Sequence, residues 1–298
     1  MKTKHFILSA AVLTMSVALS LTSCRKDPSK DDDTSGAEDN TLADKSYEDM
    51  GQISNEAANG SVGSYRLEGG SQGGLLSICA NVTRDTAAKT ITIDFGTSNC
   101  LCIDGRYRRG KIFVSYTAGF HHLGYWDSLC SITITTTDPS SSANTYYVGL
   151  DQSNMHQLIG TKSVTNKGRN AAGHTNWDVT VNGQVIKANG QGTITWISNR
   201  NLEWLTGEST PFNWFDDSYG VTGTASGTSA KGVAFNVTIT SQIVRQMSCA
   251  KYFTSGTFDF TPGSKPVRHV DFSPPNNGQC DDVATVTISG KVYTVHMQ

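Results

Sequence analysis

Apolar and polar residues alternate along most of the chain, with a period of two that begins at about Leu75. This period is typical of antiparallel strands that have one buried face and one solvated face. The apolar members of five such runs are Ile91, Ile93 and Phe95; Ile112, Val114 and Tyr116; Cys130, Ile132 and Ile134; Trp177, Val179 and Val181; and Phe235, Val237 and Ile239. About fourteen strands are expected, more than the roughly ten that an open twisted sheet holds without splitting or curling. The sequence therefore predicts an all-β fold, either an antiparallel β-sandwich or a rolled sheet of many hairpins.

Two dipeptides have the composition of tight hairpin turns. Asn182-Gly183 separates two strand runs and predicts a type I′ turn. Ser289-Gly290 joins the last two runs, and a two-residue loop there pairs Val286 with Tyr293. The alternation places these two residues on one face, so turn and pattern predict the same register.

The composition excludes several other fold classes. Charged residues make up only 17% of the 298-residue chain, whereas Thr (35), Ser (32) and Gly (29) are abundant. These are poor helix formers and are common in strands and turns. The mixture argues against helical bundles, coiled coils and doubly wound α/β enzymes. A net charge of −2 gives no bulk attraction to nucleic acid.

One short helix is expected before the strands, over residues 46–59. Ser46 is placed to be its N-cap, with Asp49 three residues later, and Gly60 would end it. Met50 and Ile53 fall on one face of this helix. The pattern indicates a small amphipathic lid or plug.

The N-terminus has the features of an export signal. Lys2 and Lys4 precede an apolar run over residues 6–21, which is shorter than a usual membrane-spanning helix. The run ends in Leu21-Thr22-Ser23-Cys24, which resembles a bacterial lipobox. The resemblance implies cleavage before Cys24, a diacylglycerol on its sulfur and an acylated amine. The alternative is a plain signal peptide that happens to end near a cysteine.

The residues after Cys24 are polar and charged. Lys30 with Asp31, Asp32 and Asp33 resembles the signal that sends lipoproteins of Bacteroidota to the outer face of the outer membrane. The resemblance implies a β-rich, lipid-anchored protein at the cell surface; the alternative is a linker that its charges keep extended. The resulting domain plan is a signal peptide over 1–23, an acidic flexible tether over 24–45 and one β-rich domain over 46–298.

Six cysteines remain when Cys24 is set aside. They are Cys79, Cys100, Cys102, Cys130, Cys249 and Cys280. An even number in an exported chain suggests disulfides. Their order favours Cys249–Cys280 and Cys79–Cys100, which leaves Cys102 with Cys130. Cys100 and Cys102 could also form half of a metal site, but no matching Cys/His cluster follows with zinc spacing, so no metal is predicted.

Two stretches are candidate binding sites. Arg106, Arg108, Arg109 and Lys111 would suit an anionic glycan or a lipid phosphate; pairing with Asp104 and exposure to solvent is the alternative. The second stretch would form a glycan platform. Its candidate members are Trp204, Phe212, Trp214, Asp216 and Asp217. Aromatic rings stack on sugars, but large aromatic residues also fill the core of β-proteins.

No motif in the sequence indicates a specific activity. G-x-S-x-G, H-E-x-x-H and P-loop patterns are absent from suitable contexts, and paired glycosidase carboxylates are not evident in the sequence. The leading interpretation is a non-enzymatic, lipid-anchored surface protein with a structural or adhesive role. A glycan-binding module, a lipid-handling envelope protein and an enzyme with scattered residues are the alternatives. No cofactor is expected; the expected partners are the membrane, through Cys24, and a glycan or a surface protein.

Overall fold

The structure is a computed structural model that describes residues 31–59, 79–117, 130–210, 213–275 and 277–297. The chain divides into two compact units, Met1–Asp32 and Asp33–Gln298. All the elements described below belong to the second unit. This unit begins upstream of residue 46, where the sequence placed the start of the β-rich domain.

Sixteen strands are present among the described residues. They are β1 Asn81–Asp85, β2 Thr90–Asp94, β3 Cys100–Leu101, β4 Tyr107–Arg109, β5 Lys111–Tyr116, β6 Ser131–Thr135, β7 Tyr147–Gly149, β8 His156–Arg169, β9 Thr175–Ile186, β10 Thr193–Thr206, β11 Ser218–Thr228, β12 Ala234–Gln246, β13 Ser255–Pro262, β14 Arg268–Asp271, β15 Val283–Ile288 and β16 Lys291–His296. They form one antiparallel sheet in the order β1-β2-β5-β6-β8-β9-β10-β11-β12-β13-β14-β15-β16, with β3, β4 and β7 joined to it through β8. The predicted all-β fold is confirmed, and the strands form one sheet rather than the two of a sandwich.

The alternation of the sequence corresponds to the two faces of this sheet. In β2, Ile91 and Ile93 are buried and their neighbours are half-exposed. At the last hairpin, Val286 pairs with Tyr293 and Ala284 pairs with Val295. The register predicted from the Ser289-Gly290 turn is therefore confirmed.

A single long helix, α1, spans Ser35–Asn59. It begins eleven residues before Ser46, so the expected N-cap was wrong, and residues 35–45 are helical rather than a flexible tether. The Ser46 hydroxyl donates instead to the carbonyl of Leu42, at 2.6 Å. The backbone N–H groups of Ala37 and Glu38 donate to the carbonyl of Thr34, which starts the helix.

The sheet curves around α1. At one edge, the Arg84 side chain of β1 donates to the carbonyl of Ala57, near the end of the helix, at 3.1 Å. At the other edge, Nζ of Lys45 donates to the carbonyl of Met297, just beyond β16, at 2.9 Å. One sheet reaches the same helix from both edge strands only if it rolls around that helix. Buried residues of α1 and of the inner sheet face form one continuous core.

The Asn182-Gly183 dipeptide lies inside β9 and is not a turn, so this prediction was wrong. Gly183 pairs with Gly160 of β8. A Cβ atom on Gly183 would lie 1.9 Å from the hydroxyl of Tyr47, which itself lies 2.8 Å from the carbonyl oxygen of Ile159. The glycine is therefore required because the Tyr47 ring presses against the sheet at this point.

Candidate functional site

The interior of the rolled sheet contains charged residues, among them Asp49 of α1. Asp49 accepts from Arg108 of β4 at 2.7 Å and from Arg106 at 2.8 Å. Arg108 also donates to Asp104 at 2.6 Å. Burial alone would raise the pKa of Asp49, but the charges of Arg108 and Arg106 hold that pKa below its ordinary value. Asp49 therefore remains a carboxylate that ties α1 to β4.

Two further carboxylates of α1 pair with cations of the long central strands. Glu48 lies 2.7 Å from Nζ of Lys162 on β8, and Asp44 lies 3.0 Å from Nη2 of Arg200 on β10. Lys162 holds the pKa of Glu48 below its ordinary value despite burial. Burial raises the pKa of Asp44, and the single contact with Arg200 offsets this only in part.

The first half of α1 is fixed by one more ion pair and by hydrogen bonds. Asp39 pairs with Lys187 at 2.8 Å and accepts from the backbone N–H of Ala230 at 2.8 Å. Asn40 accepts from the indole N–H of Trp196 at 2.9 Å. The helix is thus held along its length by side chains from both halves of the sheet.

These contacts determine what the interior of the roll can bind. Because α1 and its ion pairs occupy the space inside the sheet, the rolled sheet is a packed body with a polar helix at its centre. Hydrocarbon chains would have to displace buried charges, which is unfavourable. The geometry gives no support to a lipid-handling role for this interior.

The structure separates the members of the expected glycan platform. Trp204 is only 4% exposed and packs with Trp177 and Tyr219 on the inner sheet face. Its indole N–H donates to Asp217 at 3.1 Å, and the hydroxyl of Tyr219 lies 3.2 Å from the other carboxylate oxygen. Burial raises the pKa of Asp217 to about 6. Trp204 and Asp217 are therefore core residues, which corrects the expectation that they face a sugar.

The other platform residues have varied positions. Phe212 lies outside the described residues, and Trp214 begins a short 3₁₀ turn over Trp214–Asp216. Asp216 is exposed and accepts from the hydroxyl of Thr210 at 2.7 Å. The neighbouring Phe215 is 52% exposed. Among the described residues, the exposed part of the expected platform is therefore Asp216, with Phe215 beside it.

The basic stretch also divides between the two sheet faces. Arg106 and Arg108 are buried and pair with Asp104 and with α1, so they do not form an exposed anion site together with their neighbours. Arg109 stacks on Tyr147, 3.9 Å from the ring centre.

Two of the three expected disulfides are present. Cys79–Cys100 and Cys249–Cys280 are bonded, as predicted. Cys102 and Cys130 are buried free thiols, so the third pairing was wrong. Cys102 lies beside Arg108 between β3 and β4, whereas Cys130 lies at the start of β6 against Thr117. Cys102 was assigned to Cys130 only because these two cysteines remained after the other pairs, and the fold does not bond them.

The residues of the export signal are described only in part. Cys24 and Lys30 lie outside the described residues. Asp33 pairs with Lys231 at 3.0 Å and accepts from the hydroxyl of Ser35 at 2.6 Å. These contacts lower the pKa of Asp33 to about 2, although partial burial opposes them. Asp33 is therefore a structural residue at the start of α1.

One carboxylate cluster lies on the outer sheet face. Glu203 accepts from Asn170 at 2.7 Å and from Gln242 at 3.0 Å, and lies 2.7 Å from Nδ1 of His174. These hydrogen bonds lower the pKa of Glu203. Glu208 is engaged by Arg169 at 2.7 Å. Both carboxylates are committed to neighbours within the chain, which gives no support to a glycosidase.

The buried cations Lys162, Arg200 and Arg245 were not identified from the sequence, although a signal for them exists. Each occupies an inward position of its strand, in phase with buried apolar residues such as Ile243. A charged residue at an inward position of such an alternating strand indicates that its side chain has a partner inside the fold. Here Glu48 and Asp44 are the partners of the first two.

Comparison with known proteins does not identify the chain. No family model, curated protein or solved structure matches the chain. Within the described ranges, His, Cys, Asp and Glu side chains form no group of three that could hold a metal ion. No helix in the described part of the chain is long and apolar enough to cross a membrane.

Proposed function

We propose that this protein is a non-enzymatic, lipid-anchored surface protein whose helix α1 connects the anchor to a packed β-body. The observation that carries the proposal is the position of α1. Ser35, its first residue, follows Cys24 by eleven residues, and the helix is then fixed inside the sheet by buried ion pairs. A lipid on Cys24 would therefore be joined covalently to the most enclosed element of the fold.

This arrangement suits a structural or adhesive role. Eleven residues span at most about 40 Å when fully extended, so the body would stand close to the membrane surface. Force on the anchor would be transmitted to α1, and from there through Asp49 to β4 and through Glu48 to β8. Ion pairs along the helix resist its withdrawal, because each broken pair leaves a buried charge without a partner.

Lipidation is tested by labelling growing cells with radioactive palmitate and comparing the protein with its Cys24→Ser variant. The proposal predicts label and partition into the detergent phase for the wild type, and neither for the variant. Cys130→Ser is the matched control, since it removes a cysteine elsewhere and leaves Cys24 intact. Label that persists in Cys24→Ser would refute the anchor.

Surface exposure is tested by protease treatment of intact cells. The proposal predicts cleavage in intact cells. It also predicts protection when Lys30, Asp31 and Asp32 are replaced by Ala, because these residues form most of the expected export signal. Asp33 is left unchanged, since it also contacts Lys231. Survival of the wild type until the outer membrane is broken would contradict surface exposure.

A further inference from the structure

An open cleft lies beside α1, bounded by β7 and by the segment after β12. Its cavity volume is about 60 Å³. Lys45, Arg106 and Lys251 supply three cations to its lining, together with the apolar side chains of Leu42 and Val148. None of the described residues that line it is Asp or Glu.

A smaller recess continues from the cleft to Arg245 of β12, which is buried. Nη2 of Arg245 donates to Gln52 at 2.8 Å and to the carbonyl of Ala250 at 2.7 Å. No acceptor among the described residues lies within hydrogen-bond distance of Nη1. A buried N–H without an acceptor is costly, so an acceptor from outside the chain would stabilise this position.

Two carboxylates whose charges act on Arg245 and Lys45 already have partners within the chain. Asp49 is shared between Arg106 and Arg108, and Asp282 lies 3.1 Å from Nδ1 of His296. The charges of Lys45 and Arg245 are therefore not neutralised by an ion pair that the structure describes. Burial, and to a smaller extent the charges of Arg106 and Arg245, lower the pKa of Lys45 to about 7, although Asp282 opposes this shift.

We propose that this cleft binds a phosphate group carried on a small apolar body. Lys45, Arg106 and Lys251 would contact the phosphate, and Arg245 would lie behind them. An excess of more than one positive charge favours a dianion over a monoanion, and Lys and Arg are the usual phosphate-binding side chains. Leu42 and Val148 would contact the apolar part. The inference goes beyond lipid anchoring and does not depend on it.

The test is calorimetric titration of the full-length protein with two probes, inorganic phosphate and dihexanoyl phosphatidic acid below its micelle concentration. The proposal predicts saturable binding with one site per chain. Lys251→Gln, at a half-exposed position, should weaken binding by about tenfold, the usual effect of losing one charged contact. Lys291→Gln is the matched control, because Lys291 is an exposed lysine over a tyrosine ring at the far hairpin. It should leave binding unchanged.

A second variant, Lys45→Met, keeps the test decisive if Lys251 proves too flexible to contribute. It should weaken binding by at least about tenfold while the protein stays folded. Tighter binding of phosphatidic acid than of inorganic phosphate is expected, since only phosphatidic acid has an apolar part for Leu42 and Val148 to contact; equal binding of the two probes would overturn the apolar part of the proposal. The proposal is overturned if neither probe binds saturably at millimolar concentration, or if Lys291→Gln weakens binding as much as Lys251→Gln and Lys45→Met do.

Discussion

The carboxylate of Asp49 lies 2.7 Å from Nη2 of Arg108, and the two side chains are 2% and 0% exposed. One residue belongs to the helix and the other to strand β4. Removing two charges from water is unfavourable unless each charge finds its partner, so helix and sheet depend on each other at this contact. The rolled sheet is stable with a polar helix inside because the buried carboxylates Asp44, Glu48 and Asp49 of that helix are matched by cations on the sheet.

Asp49→Asn should destabilise the fold strongly. Arg106 and Arg108 would lose the carboxylate that they share, and the expected loss in the free energy of unfolding is about 3–5 kcal/mol. Asp94→Asn is the matched control, because Asp94 pairs with Lys111 at the surface and its loss should cost less than about 1 kcal/mol. Urea unfolding of both variants measures the difference. Equal losses would contradict the buried pairing.

Lys45 should make stability increase with pH above neutrality. Its pKa is about 7 in the folded chain, because of burial and the charges of Arg106 and Arg245, which Asp282 opposes. The ordinary value of 10.5 applies in the unfolded chain. Between these values the unfolded chain binds more protons, so the free energy of unfolding rises with pH, and the dependence disappears below pH 7 where both states are protonated.

Lys45→Met removes this dependence and tests it. Urea unfolding at pH 7, 8 and 9 should show the wild type gaining on the variant by up to about 1.4 kcal/mol per pH unit. Because all other titrating groups are shared, the difference isolates Lys45. Parallel curves for the two proteins would show that its pKa is not lowered.

Trp204 should behave as a core residue. Trp204→Ala removes a buried ring that packs on Trp177 and Tyr219, and should cost about 3–5 kcal/mol. Phe215→Ala, at an exposed position of the neighbouring turn, should change stability by less than about 0.5 kcal/mol. Thermal unfolding distinguishes the two. Similar small effects would mean that Trp204 is exposed and available to a ligand.

The disulfide assignment predicts the number of free thiols. In a Cys24→Ser variant, two thiols should react after denaturation, those of Cys102 and Cys130, and neither should react in the folded protein because both are buried. Replacing Cys249 with Ser should lower the free energy of unfolding by about 3 kcal/mol, since the bridge to Cys280 closes a long loop. Peptide mapping that finds a Cys102–Cys130 bridge would contradict this assignment.

The strands and the last hairpin could be predicted because their determinants are local. Ser289-Gly290 fixes a two-residue loop, and the alternation on both sides then fixes the register of Val286 and Tyr293. Asn182-Gly183 has an equally good turn composition, but Gly183 is there to admit the Tyr47 ring. The need for glycine at position 183 comes from Tyr47, which is far away in the sequence, and local composition does not reveal it.

The start of α1 and the charged interior could not be predicted for a related reason. Residues 35–45 lack an apolar period because Asp39, Asn40 and Asp44 meet polar groups of the sheet inside the fold. A segment whose polar side chains are satisfied by distant partners has the composition of a solvated tether. Arg200 is hidden in the same way, as a charge on an inward position whose partner lies on another element.

Native-state hydrogen exchange of the amides of α1 tests the central claim, that the helix is a fixed part of the core. The amides of Tyr47, Met50 and Ile53 should exchange only through global unfolding, with the same free energy and urea dependence as those of Ile134 and Val179 in the sheet. Exchange of the helix amides at a distinctly lower free energy, with little urea dependence, would show that α1 opens independently of the sheet and would contradict the claim.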